Sequence, residues 1–348
     1  MIQRRQIIKT AAAVAVSAPF ISTNAQQSFT LKFQTFVPAS SNIWMRVITP
    51  WMKKVETESG GRIKFEGYTS MQLGGAPTQL LEQVRDGVVD MAWTLAGYSP
   101  GRFPRSEVFE LPFFTYDGEG ASRAAWEFMT TYAPDELKDV RYLAFHTNGL
   151  NILHTKKVVV KTVADLKGMK VRGPSRKSTQ MLSSLGAIPV GMPLPQIADA
   201  LSKGVIEGAI IPWDTAPSAK LDELTTFHTE FAKGVPGFNN NIQFMIMNNE
   251  AYQKLPADLQ AVINRNSGLE LSAYFGRGIS DYDPVVRKSV IDNGHTVHVV
   301  GKAETDEFIR MSAPVTDDWV KDMNSKGFDG KKLLDAARAL IQKHRPKS

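Results

Sequence analysis

Two stretches of this sequence share one pattern: Gly87-Val88-Val89-Asp90-Met91-Ala92 and Gly204-Val205-Ile206-Glu207-Gly208-Ala209. In each, a glycine follows a segment with helical periodicity, and apolar residues follow the glycine. Glycine readily adopts the left-handed conformation that ends many helices, and a short apolar run is typical of a buried strand. Each stretch therefore predicts a junction between a helix and a strand, with Asp90 and Glu207 at equivalent positions.

The same order of elements precedes both stretches. The first half is predicted to contain strand 30–37, helix 41–58, strand 62–68, helix 77–86 and strand 88–95. The second half is predicted to contain strand 169–172, helix 175–185, strand 187–190, helix 195–203 and strand 205–211. Alternating strands and helices favour parallel strands covered by helices on both faces. The sequence therefore predicts an α/β protein with two lobes, each a mostly parallel sheet flanked by helices.

A ligand cleft is expected between the lobes, because ligands of such sheets bind at the carboxyl ends of the strands. Its predicted lining follows the first and third strands of each unit, at residues 36–42, 93–98, 172–176 and 210–213. Two further segments, 112–116 and 231–241, are predicted to carry the chain between the lobes. The region from Pro256 onward is predicted to be mainly helical, because its apolar residues recur with helical spacing.

The N-terminus has the features of an export signal. Arg4, Arg5 and Lys9 precede an apolar run over residues 11–21, and small residues follow that run. The run is too short to span a bilayer as a stable helix. We expect residues 1–25 to be removed and the mature protein to reach a bacterial periplasm, by either the twin-arginine or the general secretion route.

Composition excludes several classes of protein. The chain has 348 residues, of which 43% are apolar, enough for two lobes with substantial cores. Its formal net charge of +6 includes three positive charges of the export signal. The mature chain therefore has only a weak positive electrostatic field, which does not indicate binding to nucleic acid. The absence of cysteine excludes disulfides, thiolate metal sites and thiol nucleophiles.

Arg172 is the strongest candidate for a ligand-binding residue. It ends a predicted strand and precedes Gly173-Pro174, so its guanidinium would face the cleft. A guanidinium can donate two parallel hydrogen bonds to a carboxylate, which indicates an organic acid as the ligand; a solvated surface arginine is the alternative. Trp93 and Trp213 are candidates for the apolar wall of the cleft, and core packing is the alternative for both.

An exported enzyme is the main alternative function. The sequence contains no Gly-x-Gly-x-x-Gly or His-Glu-x-x-His motif, and its one Gly-x-Ser-x-Gly match, at residues 97–101, is not followed by a helical pattern. His295 and His298 are the only two histidines close to each other in sequence. They lie in a predicted turn before a strand, and this position favours a structural role over metal binding. Asp90 and Glu207 are expected to be structural rather than an acid–base pair. We predict no catalytic residue, no cofactor and no metal site, with a periplasmic ligand sensor as a third alternative.

Several motifs together resemble one known family. They are Pro38–Asn42, Gln72–Gly75, Leu80–Asp90, Glu110–Phe113, Ala164–Arg172 and Gly204–Pro212. In order and spacing they are similar to the DctP-type solute-binding proteins of tripartite ATP-independent periplasmic (TRAP) transporters. The resemblance implies a two-lobed periplasmic-binding-protein fold with a long helix across both lobes. It places residues 26–150 mainly in lobe 1, residues 151–240 mainly in lobe 2, and crossover strands and C-terminal helices in residues 241–348.

The resemblance also implies a function. Proteins of this family close on a small ligand and deliver it to a membrane permease, and Arg172 occupies the position of their carboxylate-binding arginine. The motif residue Gln72, together with Phe36 and Tyr98 of the cleft segments, joins the candidate binding residues. We expect a monomeric receptor that binds no nucleic acid.

Two departures from the sialic-acid-binding members indicate the class of ligand. Asn151 stands where those proteins have a second arginine, and Ile211 stands where they have an asparagine. In a less polar pocket each unpaired sugar hydroxyl would cost about 1–3 kcal/mol, whereas an aromatic ring gains from burial and stacking. We therefore predict an aromatic or otherwise apolar monocarboxylate, with short aliphatic keto or hydroxy acids as the alternative.

Overall fold

The computed structural model describes residues 27–345; the predicted export signal lies outside the described residues. Within this range the strands are β1 (Phe29–Thr35), β2 (Ile63–Tyr68), β3 (Met91–Leu95), β4 (Arg141–Thr147), β5 (Ile152–Thr155), β6 (Lys170–Gly173), β7 (Ile188–Gly191), β8 (Gly208–Ile211), β9 (Phe227–Phe231), β10 (Ile242–Met247) and β11 (Thr296–Val300). The helices are α1 (Thr49–Glu58), α2 (Leu80–Arg85), α3 (Gly118–Tyr132), α4 (Arg176–Ser184), α5 (Ile197–Ser202), α6 (Leu221–Leu224), α7 (Asn249–Gln253), α8 (Ala257–Arg265), α9 (Leu269–Ser280), α10 (Asp283–Asp292), α11 (Lys302–Ser325) and α12 (Gly330–His344). None of these helices is both long enough and apolar enough to cross a bilayer.

The two predicted repeat units form equivalent parallel arrangements. The first strand of each unit is central, in the orders β2-β1-β3 and β7-β6-β8. Gly87 and Gly204 end the preceding helices with φ angles of 72° and 70°, the left-handed conformation that the sequence predicts. The carboxylates of Asp90 and Glu207 accept hydrogen bonds from backbone N–H groups of the neighbouring strands, at 2.8 and 3.0 Å. Both acidic residues are thus structural.

Antiparallel strands complete both sheets. The first sheet has the order β2-β1-β3-β10-β4, in which β10 is antiparallel to both neighbours. The second sheet has the order β11-β9-β5-β8-β6-β7, in which β5 is antiparallel to both neighbours. The two-lobed α/β fold is confirmed, but the sheets are mixed, because β5 and β10, which directly follow the crossings at 148–151 and 232–241, run opposite to both of their neighbours.

Among the described strands the chain crosses between the sheets three times: at residues 148–151, between β4 and β5; at residues 232–241, between β9 and β10; and through helices α7 to α10, between β10 and β11. The expectation of a crossing at 112–116 is wrong. That segment joins a 3₁₀ turn, Ser106–Glu110, to α3, and both pack against strands of the first sheet. Its proline and aromatic residues mark a break in regular structure rather than a change of sheet.

The C-terminal region is mainly helical, as the sequence predicts, and its longest helix connects the lobes. Helix α11 packs against α4 beside the second sheet and against α12, which packs on α3 beside the first sheet. Trp319 of α11 is fully buried, and its indole Nε1 donates to the Pro104 carbonyl at 2.8 Å. This helix therefore spans both lobes.

Candidate ligand-binding site

A cavity, partly open to solvent, lies between the sheets. Each of the four segments predicted to line the cleft contributes at least two residues: Phe36, Val37, Ser41 and Asn42; Trp93, Leu95 and Tyr98; Arg172 and Pro174; Ile211 and Pro212. The carboxyl ends of parallel strands explain the location.

Arg172 places a positive charge in this wall. The residue is only 2% exposed; its Nε donates to the Met192 carbonyl at 3.0 Å and its Nη1 to the Ile210 carbonyl at 3.4 Å. The Tyr98 hydroxyl lies beside the guanidinium, but no carboxylate of residues 27–345 pairs with it, and burial lowers the pKa of Arg172 from its usual value. Because a guanidinium stays protonated at neutral pH, this buried charge favours an anionic ligand.

Aromatic rings form the apolar part of the wall. Phe36 stacks on Trp93 with ring centroids 5.4 Å apart and meets the edge of Tyr98 at 5.2 Å. Trp93 Nε1 donates to His146 Nε2 at 2.9 Å. Burial lowers the pKa of His146 to about 3, so the imidazole is neutral and can accept this bond. The rings are therefore held by the protein, and their faces can pack against a ligand.

Three buried carboxamides add polar atoms that have no hydrogen-bond partner in the described structure. These atoms are Asn42 Oδ1, Asn241 Nδ2 and Gln243 Oε1, and all three residues line the cavity. Asn42 lies in a predicted segment, whereas Asn241 and Gln243 were missed by the sequence analysis. The sequence carried one signal for Gln243: it is the polar residue of the otherwise apolar strand β10.

Asp214 also lines the cavity and was not predicted. It accepts hydrogen bonds from Asn42 Nδ2 at 3.4 Å and from Thr215 Oγ1 at 2.9 Å, and its backbone N–H donates to Asp283 Oδ1 at 2.8 Å. Burial raises the pKa of Asp214 to about 7, while burial and the charge of Asp214 raise that of Asp283. Near neutral pH this pair therefore retains a proton, which limits its repulsion of an anionic ligand.

The structure brings together five of the eight candidate residues, Phe36, Trp93, Tyr98, Arg172 and Ile211. Trp213 does not line this cavity, contrary to expectation. Its ring packs on His154 and His228, with centroids 5.1 and 4.9 Å away, and its Nε1 donates to Glu230 Oε2 at 3.0 Å. The chain enters a 3₁₀ turn at Trp213, which directs the indole into a separate small core.

Gln72 and Asn151 also lie away from the cavity wall. Gln72 is exposed on a turn, where its Oε1 accepts from the Thr69 N–H at 3.2 Å. Asn151 is fully buried in the first crossing. Its Nδ2 donates to Asn239 Oδ1 at 3.0 Å and to Asn241 Oδ1 at 2.8 Å, so it connects the two crossings rather than facing the ligand.

Fold and site together define a two-lobed receptor for a small organic anion. The chain matches the model of the bacterial extracellular solute-binding proteins, family 7 (DctP), over residues 33–322, and it belongs to that family. The resemblance to DctP-type solute-binding proteins is thus confirmed.

Solved structures of similar proteins contain aromatic acids. A TRAP solute-binding protein from Rhodoferax ferrireducens, with copurified benzoate, is 51% identical with a TM-score of 0.90, over 91% of this chain and 98% of that chain. A marine-metagenome TRAP solute-binding protein specific for aromatic acids, with bound 3-hydroxybenzoate, is 43% identical with a TM-score of 0.90, over 92% and 100%. One from Bordetella bronchiseptica, with both mandelate enantiomers, is 27% identical with a TM-score of 0.83, over 90% and 99%.

Proposed function

We propose that this protein is a periplasmic receptor that binds an aromatic or otherwise apolar monocarboxylate between its lobes and delivers it to a TRAP membrane permease. The observation that carries the proposal is the buried guanidinium of Arg172, without a carboxylate partner among the described residues, in a wall that also presents the rings of Phe36, Trp93 and Tyr98. The aromatic acids bound by similar proteins support the same class of ligand.

The carboxylate of the ligand would accept hydrogen bonds from Arg172 and from Asn241 Nδ2, an amide donor without a partner in the described structure. A charge-assisted hydrogen bond of this kind contributes about 1.5–3 kcal/mol. Burying roughly 100 Å² of a phenyl ring against the aromatic residues would add about 2.5 kcal/mol at 25 cal/mol per Å². Charge and ring therefore contribute comparably to affinity.

Both lobes contribute to the wall, so binding would favour the closed arrangement. The hydroxyl of Tyr98, after β3, accepts from the backbone N–H of Leu194, after β7, at 2.9 Å. Asn42, after β1, donates to Asp214, after β8. A ligand that contacts residues of both lobes has more contacts when they are closed, which shifts the population toward closure.

The periplasmic location is supported by the family, which is extracellular, and by the export signal predicted over residues 1–25. The family and the solute-binding proteins of similar fold support the assignment of this protein as a receptor rather than an enzyme. The chemistry of the wall, one cation and mostly neutral groups, suits reversible binding.

Calorimetric titration of benzoate tests the proposal. We expect binding to the wild-type protein and at least tenfold weaker binding to Arg172→Lys, which keeps the charge but loses the planar fork of donors. Arg176→Lys is the matched control, because Arg176 pairs with Glu107 and Asp322 and does not line this cavity. Unchanged affinity in Arg172→Lys would contradict the assignment, and a protein that binds only sugar acids or short aliphatic acids would refute the ligand class.

A further inference from the structure

The wall of the cavity contains both hydrogen-bond donors and hydrogen-bond acceptors that the protein leaves free. The guanidinium of Arg172 and Nδ2 of Asn241 can only donate, whereas Oδ1 of Asn42 and Oε1 of Gln243 can only accept. All four residues are at most 7% exposed. A carboxylate offers acceptors only, so it can occupy the donors but cannot satisfy the two free oxygens.

The protein itself fixes which amide atom of Asn42 and of Asn241 is left free. Asn42 Nδ2 donates to the Gly278 carbonyl at 3.2 Å as well as to Asp214, which leaves Oδ1 as its free atom. Asn241 Oδ1 accepts from Asn151, which leaves Nδ2 as its free atom. Packing therefore sets the free atoms of Asn42 and Asn241 before any ligand arrives.

Arg172 and the two free acceptors come from different sheets: Arg172 lies in β6, whereas Asn42 follows β1 and Gln243 lies in β10. The polar contacts of Arg172 are with Met192 and Ile210 of the second sheet and its following turn. Those of Asn42 are with Asp214 and Gly278, so the two groups share no partner. A ligand held at Arg172 by its carboxylate can thus meet the acceptors with another part of its structure.

We propose that this receptor recognises a second polar group of its ligand, a hydroxyl or amino hydrogen-bond donor, and therefore prefers hydroxy- or amino-substituted aromatic monocarboxylates to unsubstituted ones. The inference rests on the proposed function. A bare ring that excludes water from the cavity would leave Asn42 Oδ1 and Gln243 Oε1 buried without partners. A substituent that donates to one of them removes that penalty and should raise affinity about tenfold.

Calorimetry with matched ligands tests this inference on the wild-type protein. The probes are benzoate, its 3- and 4-hydroxy and 3- and 4-amino derivatives, and the corresponding methyl and methoxy derivatives. We expect at least one hydroxy or amino acid to bind about tenfold more tightly than benzoate, while its methyl and methoxy analogues, which cannot donate, show no such gain. Tighter binding of both the hydroxy and the amino acids indicates that the hydrogen-bond donor is recognised. Tighter binding of one kind alone identifies which donor, hydroxyl or amino, the receptor recognises.

A pair of variants assigns the acceptor. Gln243→Met keeps the approximate size of the side chain but removes Oε1: a preference reduced to less than threefold assigns Gln243 as the acceptor, and an unchanged preference assigns Asn42. Thr94→Val is the matched control, because Thr94 Oγ1 is also buried without a partner but does not line the cavity. It should leave the preference unchanged.

Two outcomes would overturn the inference. Equal affinities for benzoate and all its hydroxy and amino derivatives refute it while leaving the proposed function intact. If no aromatic carboxylate binds the wild-type protein, the proposed function fails and this inference fails with it. The wild-type series decides the question even if Gln243→Met does not fold.

Discussion

Asn151 is predicted to stabilise the junction of the two crossings rather than to bind ligand. Its side chain takes part in three buried hydrogen bonds, accepting from Asn148 Nδ2 at 3.0 Å and donating to Asn239 and Asn241. Asn151→Ala would leave three buried polar atoms unpaired. At about 1 kcal/mol or more for each, the free energy of unfolding should fall by about 3–5 kcal/mol.

Urea unfolding of the ligand-free protein measures this change. Asn293→Ala is the control, because Asn293 is exposed at the end of α10 and the change should stay within about 0.5 kcal/mol. A second readout is affinity for benzoate, which should fall as well, because Asn241 loses the bond that orients its free Nδ2. A loss of stability below about 1 kcal/mol, or strong loss of binding with normal stability, would refute this role of Asn151.

Three further predictions concern other buried groups. Trp213→Ala should lower the free energy of unfolding by about 3–5 kcal/mol by leaving a cavity, with no selective loss of aromatic ligands in calorimetry; a selective loss would place the indole in the site. Benzoate affinity should fall above pH 7, because the Asp214 carboxyl, with a pKa of about 7, then ionises near the anionic ligand, and Asp214→Asn should lose most of that dependence. Burial and the neighbouring Glu107 raise the pKa of Glu110 from 4.5 to about 7. The contribution of the protonated Glu110 carboxyl to the free energy of unfolding is therefore complete below pH 4.5 and is lost as pH rises through 7. Glu110→Gln should remove about 3 kcal/mol of that pH dependence in urea unfolding, and an unchanged profile would contradict the assignment.

Local patterns were sufficient to predict the repeat units. Gly87 and Gly204 indicated helix ends, and the runs after them indicated strands, because both features depend on neighbouring residues. The cleft segments followed from the general rule that ligands bind at the carboxyl ends of parallel strands. The order of the antiparallel strands could not be predicted in this way, because the placement of β10 between β3 and β4 depends on contacts distant in sequence.

The candidate site was predictable in position but not in every side chain. Arg172 lies within a regular strand, so its direction follows from the alternation of side chains. Trp213 begins a 3₁₀ turn, where that alternation no longer applies, and its indole faces another core. Gln243 lies in the strand that returns to the first sheet and Asn241 directly precedes it, so placing these two residues in the site required the long-range topology.

The position of β10 has a consequence for biosynthesis. Strand β4 pairs only with β10 among the described strands, and β3 pairs with β10 on one side, yet β10 follows the whole central part of the second sheet in the chain. During translation the first lobe therefore cannot complete its sheet until residues 242–247 have been made. A fragment that ends at residue 150 would expose two unpaired strand edges, which are templates for aggregation. The first sheet is thus encoded by two separate parts of the chain, and a fragment truncated between the lobes lacks the strand that joins β3 to β4.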